Sequence, residues 1–159
     1  MASFTITKVR TPEDLAAVKD LFIAYTKWLN IDLTYQNFET ELASLPGKYS
    51  PPTGEILLAR SASSNEPLGS VALRPLFPPE CAEMKRLYVT QAGRGTGIGK
   101  ALIKEVFKIS REFGYKEIKL DTLSHMEAAI GIYKSFGFIE CDKYYETPME
   151  NTVFLRKEL

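Results

Sequence analysis

Apolar and polar positions alternate over residues 4–9, with Phe4 and Ile6 in phase and Val9 out of it, which predicts a first β-strand. The period then lengthens. Leu15, Val18, Phe22, Tyr25 and Leu29 recur at helical spacing and form one apolar stripe. Thr11-Pro12-Glu13-Asp14 marks where that helix begins: a hydroxyl that can cap, a proline suited to the first helical position, and two acids at the positive end of the dipole. A shorter helix is expected over residues 37–45, stopped by Pro46-Gly47.

Residues 46–53 hold three prolines and a glycine and predict an ordered but irregular loop. Residues 54–60, with Ile56, Leu57 and Leu58, and residues 68–73 read as a strand pair joined by a polar turn over 61–67. Pro75, Pro78 and Pro79 interrupt before a strand over 81–89. A helix follows over 98–113, with Gly114 placed to cap its C-terminus. A strand over 118–122, a helix over 126–136 ended by Gly137, a strand over 138–141 and a last strand over 151–155 complete the order β-α-α-β-β-β-α-β-α-β-β. With no repeat, low-complexity tract or linker, residues 1–159 are expected to form a single α/β (α+β) domain on a mixed sheet.

Composition narrows the class. Lys plus Arg (20) balance Asp plus Glu (20), so there is no charge footprint for nucleic acid or an anionic membrane, and neither is expected as a partner. Cys81 and Cys141 lack metal-ligand spacing and are too few for a disulfide framework. They read as two buried thiols in a reducing compartment, with no metal site. Met1-Ala2-Ser3-Phe4 shows no basic stretch leading into an apolar one, and no apolar run approaches the ~20 residues of a membrane span. A cytoplasmic enzyme is the expectation; a homodimer is left open.

Gly93, Gly95, Gly97 and Gly99 alternate between a predicted strand and a predicted helix. Glycine there permits positive φ and close backbone approach by a ligand, and the first turn of the helix offers unpaired N–H groups to an anion. Arg94 and Lys100 add positive charge at the rim. Spacing excludes two nucleotide loops. A Walker loop requires Gly, four residues, then Gly-Lys-Ser/Thr, but Arg94 stands at the glycine's place and Ala101 at the hydroxyl's. A dinucleotide fingerprint, G-x-G-x-x-G, started from Gly93, Gly95 or Gly97 puts its third glycine on Ile98, Lys100 or Leu102.

Val89, then Arg94-Gly95-Thr96-Gly97-Ile98-Gly99 and Ala101-Leu102, resembles the acyl-CoA signature of the GCN5-related N-acetyltransferase (GNAT) family, Arg/Gln-x-x-Gly-x-Gly/Ala. Residues 129–138, Ala-Ile-Gly-Ile-Tyr-Lys-Ser-Phe-Gly-Phe, resemble its second motif, A-x-x-L-Y-x-x-x-G-F. Two departures stand out: Met126 occupies the place of a frequent asparagine, and Ile132 that of the usual leucine. The resemblance covers essentially the whole chain. It implies a mixed, mostly antiparallel central sheet flanked by helices and acetyl-CoA as co-substrate.

It also implies roles. The backbone of Leu87, Tyr88 and Val89 would pair with the pantetheine arm, an N–H near Leu87 or Tyr88 would polarise the acyl carbonyl, and Arg94, Gly95, Thr96, Gly97, Ile98, Gly99 and Lys100 would hold the phosphates. Tyr133 is the implied acid for the leaving thiolate; periodicity alone reads it as an inward core tyrosine beside Met126, Ala129 and Ile130. Glu83, which alternation puts on one face with Lys85, Leu87 and Val89, is either a base acting through water or a solvated strand charge. His125 is either a base or a helix-start residue, and Arg74 and Arg86 either bind a substrate carboxylate or are surface charges.

Tyr25, Trp28, Tyr35, Phe38 and Tyr49 fall in the segment that covers the acceptor in this family, with Tyr144 and Tyr145 near the other wall. Trp28 and Tyr49 are the expected pocket residues, and Tyr25 belongs to the apolar stripe. The expected activity is acetyl transfer from acetyl-CoA to a small-molecule amine by direct attack, since neither cysteine lies in either motif. A peptide or protein acceptor, or a non-catalytic acyl-CoA sensor, is the alternative.

Overall fold

The computed structural model describes residues 3–159, and of Tyr35 only the backbone. Met1 and Ala2, which the expectation about a leader includes, and the Tyr35 side chain lie outside the described residues. The order predicted from the pattern is the order found. β1 (Phe4–Lys8), α1 (Pro12–Leu29), α2 (Phe38–Ser44), β2 (Glu55–Ser61), β3 (Pro67–Pro75) and β4 (Cys81–Val89) make the first half. α3 (Ile98–Glu112), β5 (Glu117–Leu123), α4 (Glu127–Ser135), β6 (Ile139–Glu140) and β7 (Thr152–Glu158) make the second.

Local chemistry sets the boundaries. The Thr11 hydroxyl accepts from the Asp14 amide at 3.1 Å, and Asn30, at φ 55°, closes α1 in the left-handed region. Residues 46–53 contain a short 3₁₀ turn, Gly47–Tyr49. Gly54 precedes β2 instead of opening it, and only glycine fits there, since a Cβ would lie 2.6 Å from the carbonyl carbon of Tyr49. β3 and β7 run longer than their apolar patterns, and β6 is only two residues long.

The seven strands lie in the order β1-β2-β3-β4-β5-β7-β6. Every pairing is antiparallel except that of β4 with β5, which is parallel. On one face, Val18, Leu21 and Phe22 of α1 and Phe38 of α2 pack with Ile56, Leu58 and Ala72 of the sheet. On the other, Ile98, Leu102, Ile103 and Val106 of α3 pack with Leu57, Val71, Leu73, Ala82 and Met84, and Tyr133 of α4 joins them. Cys81 is buried, and burial pushes its thiol up to about 11; Cys141 is half-buried, so the expectation of two buried thiols holds only for the first.

Two irregularities in β4 shape everything that follows. First, its pairing with β5 covers only Cys81, Ala82 and Glu83, opposite Glu117, Ile118 and Lys119. Beyond Glu83 the two strands part, β5 staying with β7 and β4 with β3. Second, between Ser70↔Tyr88 and Ala72↔Lys85 the register shifts, so β4 carries one more residue than β3, with Arg86 at φ 60°. The extra residue resets the alternation. Leu87 and Val89 pack with Ala82 and Met84 on the α3 side, whereas Tyr88 packs on the α1 side. Glu83 and Lys85 therefore do not share a face with Leu87 and Val89. Period-two reading cannot register a bulge.

Candidate active site

The strand-to-helix turn after β4 is built mainly by its backbone. Gly95 and Gly97 sit at φ 78° and 89°, where a side chain is strained, and nothing lies within 4 Å of where their Cβ atoms would be. Gly93 has a different reason: a Cβ would come within 2.9 Å of the Leu68 carbonyl oxygen and 3.0 Å of Val89 Cγ1. Gly97 caps α3 without any side-chain bond, and the first helical bond runs from the Ala101 amide to the Gly97 carbonyl at 3.0 Å. The amides of Ile98, Gly99 and Lys100 precede that bond and point out of the helix start, an arrangement that favours an anion. Thr96 turns inward, its hydroxyl donating to the Gly93 carbonyl. Arg94 donates from Nε to the Val89 carbonyl at 3.1 Å and lays its guanidinium 5.1 Å from the Trp28 ring centroid.

The turn opens onto a cleft that passes through the sheet where β4 and β5 part. Residues 84–89 of β4 and 120–123 of β5 line it, with Tyr25 and Trp28 from α1 and Met126, Ala129, Ile132 and Tyr133 from around α4. Ile132 lines it rather than Ile130, so the inward face of α4 is rotated slightly from the expected i, i+3, i+4, i+7 set. Tyr133 is buried with its ring edge-on to Phe138, 5.8 Å between centroids. Among the described residues no hydrogen-bond partner meets its hydroxyl, yet that oxygen is not sealed from the cleft. Burial, then the neighbouring Tyr25 and Asp121, hold the phenol above its ordinary value, so it keeps its proton.

A second cavity, of about 510 Å³, lies across Lys85 and Gln36, which line both. Glu83 forms its floor and is completely buried, not a solvated strand charge. Its Oε1 accepts from Arg74 Nε at 2.6 Å and its Oε2 from the Tyr144 hydroxyl at 2.6 Å. Lys85 Nζ donates to Gln36 Oε1 at 3.1 Å and stands 3.9 Å from Glu83. Gln36 in turn donates to the Tyr145 hydroxyl at 3.3 Å, and that hydroxyl donates to Asp121 in the first cleft. Burial holds the Lys85 ammonium below its ordinary value, with Glu83 opposing that drop.

The predicted residues are thus divided. Leu87, Tyr88, Val89, Arg94, Gly99 and Tyr133 line the cleft, and Gly95, Thr96, Gly97, Ile98 and Lys100 form its mouth or supporting turn. Trp28 stands at the cleft under Arg94, whereas Tyr49 is buried at the second cavity with its hydroxyl on Glu41, 2.8 Å away. Arg86 is neither a surface charge nor a free anion site: it is buried and forked onto Glu41 at 2.9 and 3.0 Å. His125 is exposed on the turn before α4 and lines neither cavity. Lys85, Gln36, Glu41 and Asp121 were not anticipated. Lys85 alone had a signal, two positions from Glu83 on the same pre-bulge face.

A sheet opened between two central strands, with backbone amides gathered at the mouth of the gap, defines an architecture suited to a phosphate-bearing ligand. The sequence matches the model of the Acetyltransferase (GNAT) family over residues 17–138. It is 41% identical over 158 residues to an uncharacterized N-acetyltransferase of Schizosaccharomyces pombe, covering 99% of this chain and 96% of that one. An uncharacterized N-acetyltransferase of Dictyostelium discoideum is 33% identical over 212 residues, with 95% and 97% covered. Among solved structures, an acyl-CoA N-acyltransferase fold from Klebsiella pneumoniae superposes with a TM-score of 0.78 at 27% identity, covering 100% and 99% of the two chains. A GNAT-family acetyltransferase from Staphylococcus aureus gives 0.82 at 19% identity, covering 98% and 99%, a likeness of fold.

The chain belongs to the GNAT family and is an N-acetyltransferase. Its fold implies acetyl-CoA or another acyl-CoA as co-substrate, and the residues present fit that carrier. Among the described residues, three helix-start amides of the cradle are unpaired, and no strand pairs with the edge of β4 that faces the gap beyond Glu83. No helix among the described residues is long and apolar enough to cross a membrane.

Proposed function

We propose that the protein moves the acetyl group of acetyl-CoA onto the amine of a small molecule by direct attack, with Tyr133 as the acid. The observation that carries this is the Tyr133 hydroxyl: buried, protonated, without a hydrogen-bond partner among the described residues, and open to the cleft beside the unpaired edge of β4. Acetyl-CoA supplies an acyl group activated as a thioester. The cradle of residues 94–99 orients its phosphates, and a backbone N–H at the Arg86 bulge, near Leu87 or Tyr88, polarises the carbonyl. The acceptor nitrogen forms the new C–N bond as the C–S bond breaks, and Tyr133 donates its proton to the departing sulfur.

Glu83 is the proposed base, taking the amine's proton through water. Its two oxygens already hold Arg74 and Tyr144, which keep the carboxylate in place on the acceptor side. Neither cysteine lines either cavity, and Cys81 is held protonated, which favours direct attack over a covalent enzyme intermediate. The test is thiol release from acetyl-CoA across a panel of amines, amino acids and peptides, paired with thermal melting. Acetyl-CoA is expected to raise Tm as its concentration rises. No shift at millimolar acetyl-CoA overturns the reading.

A further inference from the structure

The second cavity has a charge balance that the acetyl-transfer reaction alone does not require. Two carboxylates border it, Glu41 and Glu83. Four cations stand around them: Arg86 behind Glu41, Arg74 and Lys85 against Glu83, and Lys48 along the cavity, with Asp121 of the first cleft as one further anion acting on Lys85. The Arg86 fork takes both Glu41 oxygens, and Glu83 serves Arg74 and, at 3.9 Å, Lys85. Positive charge is left over, and it faces the cavity.

Its geometry is specific. Arg74 commits only Nε to Glu83; among the described residues its two terminal nitrogens have no hydrogen-bond partner, and the residue lines the cavity. A guanidinium with one edge anchored and the other open is a planar fork shaped for a carboxylate. Lys85 is nearly buried, with 9% of its side chain exposed, and stands where the two cavities meet. Lys48 is exposed at the rim. Burying a lysine with a surplus of cations around it is costly, and an anionic ligand would offset that cost.

Resting on the acetyl-transfer reading above, we propose that this cavity takes the acceptor and that the acceptor is a small amine also carrying a carboxylate, held by the open edge of Arg74 and by Lys85. The carboxylate end is fixed on the side away from the thioester, which directs the amine past Lys85 and Gln36 toward the gap between β4 and β5. At about 510 Å³ the cavity suits a molecule of amino-acid size or somewhat larger.

The experiment compares amino acids with their carboxamides and with the matching decarboxylated amines, at saturating acetyl-CoA, by thiol release. Acids are expected to exceed both carboxylate-free forms in kcat/KM by about ten-fold or more. Arg74→Lys keeps a charge for Glu83 but loses the fork, and Lys85→Met removes the inner cation. Each should raise KM for the acid by about ten-fold and shrink its advantage over the amide. Should Arg74→Lys or Lys85→Met melt early, Lys48→Gln, at the exposed rim, gives a smaller loss of the same preference.

Equal turnover of acids, amides and plain amines overturns the proposal while leaving acetyl transfer standing. So does an acid preference that neither Lys85→Met nor Lys48→Gln changes. Turnover of no small amine at all, with acetyl-CoA still raising Tm, overturns the small-molecule reading and this inference with it.

Discussion

The two sides of the opened sheet are built from different materials. On the α3 side the proposed carrier site is main chain: positive-φ glycines at 95 and 97, three helix-start amides and a strand edge left unpaired by β5. On the α1–α2 side the proposed acceptor site is made of side chains in polar networks, Arg74–Glu83–Tyr144 and Arg86–Glu41–Tyr49. A backbone site recognises what all substrates of a class share, here a phosphate-bearing carrier. A network of side chains can be changed one residue at a time, so it suits selection among acceptors. The contrast predicts that damage to the first side lowers carrier binding for any acceptor, whereas damage to the second changes stability and acceptor choice.

The largest expected effect lies in the network on the proposed acceptor side. Glu41→Ala leaves the buried Arg86 guanidinium unpaired and should cost about 3–5 kcal/mol of stability, read as a lowered Tm or denaturant midpoint. A stable variant would mean that the network is not what holds that wall. Close behind is Tyr133→Phe, between the two sides, which should lower kcat by about 100-fold or more while KM for acetyl-CoA stays within about two-fold. Because burial holds this phenol above its ordinary value, the wild type should show no loss of acid function as pH rises toward about 10. A limb well below that, absent in the phenylalanine variant, would place Tyr133's titration elsewhere.

Smaller effects sharpen the main-chain side. Gly97→Ala puts a Cβ at φ 89° with open space around it, so the cost is conformational, about 1–2 kcal/mol. It should weaken acetyl-CoA binding about ten-fold with acceptor preference unchanged. A loss confined to the acceptor would break the division of labour. Thr11→Ala, at a cap that neither side uses, should cost about 1 kcal/mol and leave both substrates' KM values alone.

The same division explains what the sequence disclosed. The eleven elements and the glycine turn are local features: periodicity, caps and φ requirements are set within a few residues, and the structure follows them in order. The proposed acceptor wall is not local. Glu83 meets Arg74 nine positions away and Tyr144 sixty-one positions away, and Lys85 meets Gln36 across forty-nine. No spacing rule announces such pairs, so Glu83 could not be told from a solvated charge, and Arg86 could not be seen as buried. His125 is the opposite case: adjacency to the α4 motif is not inward placement, and it stands exposed on the turn that leads into that helix, the second of its two readings. Gly93 was legible as a glycine but not as a packing glycine, since its neighbours Leu68 and Val89 come from other strands of the turn's surroundings.

The Arg86 bulge has a consequence for how this strand tolerates change in length. With one residue too many against β3, β4 turns Glu83 and Lys85 to one face and Leu87 and Val89 to the other. Deleting Arg86 would restore a regular ladder and leave Tyr88 opposite Ser70 and Val89 opposite Gly69, on the faces they already occupy. What such a deletion removes is the guanidinium that the bulge sends to Glu41, and nothing else in the strand changes sides. The bulge behaves like a parenthesis in a sentence: it adds one word and leaves the grammar on either side intact.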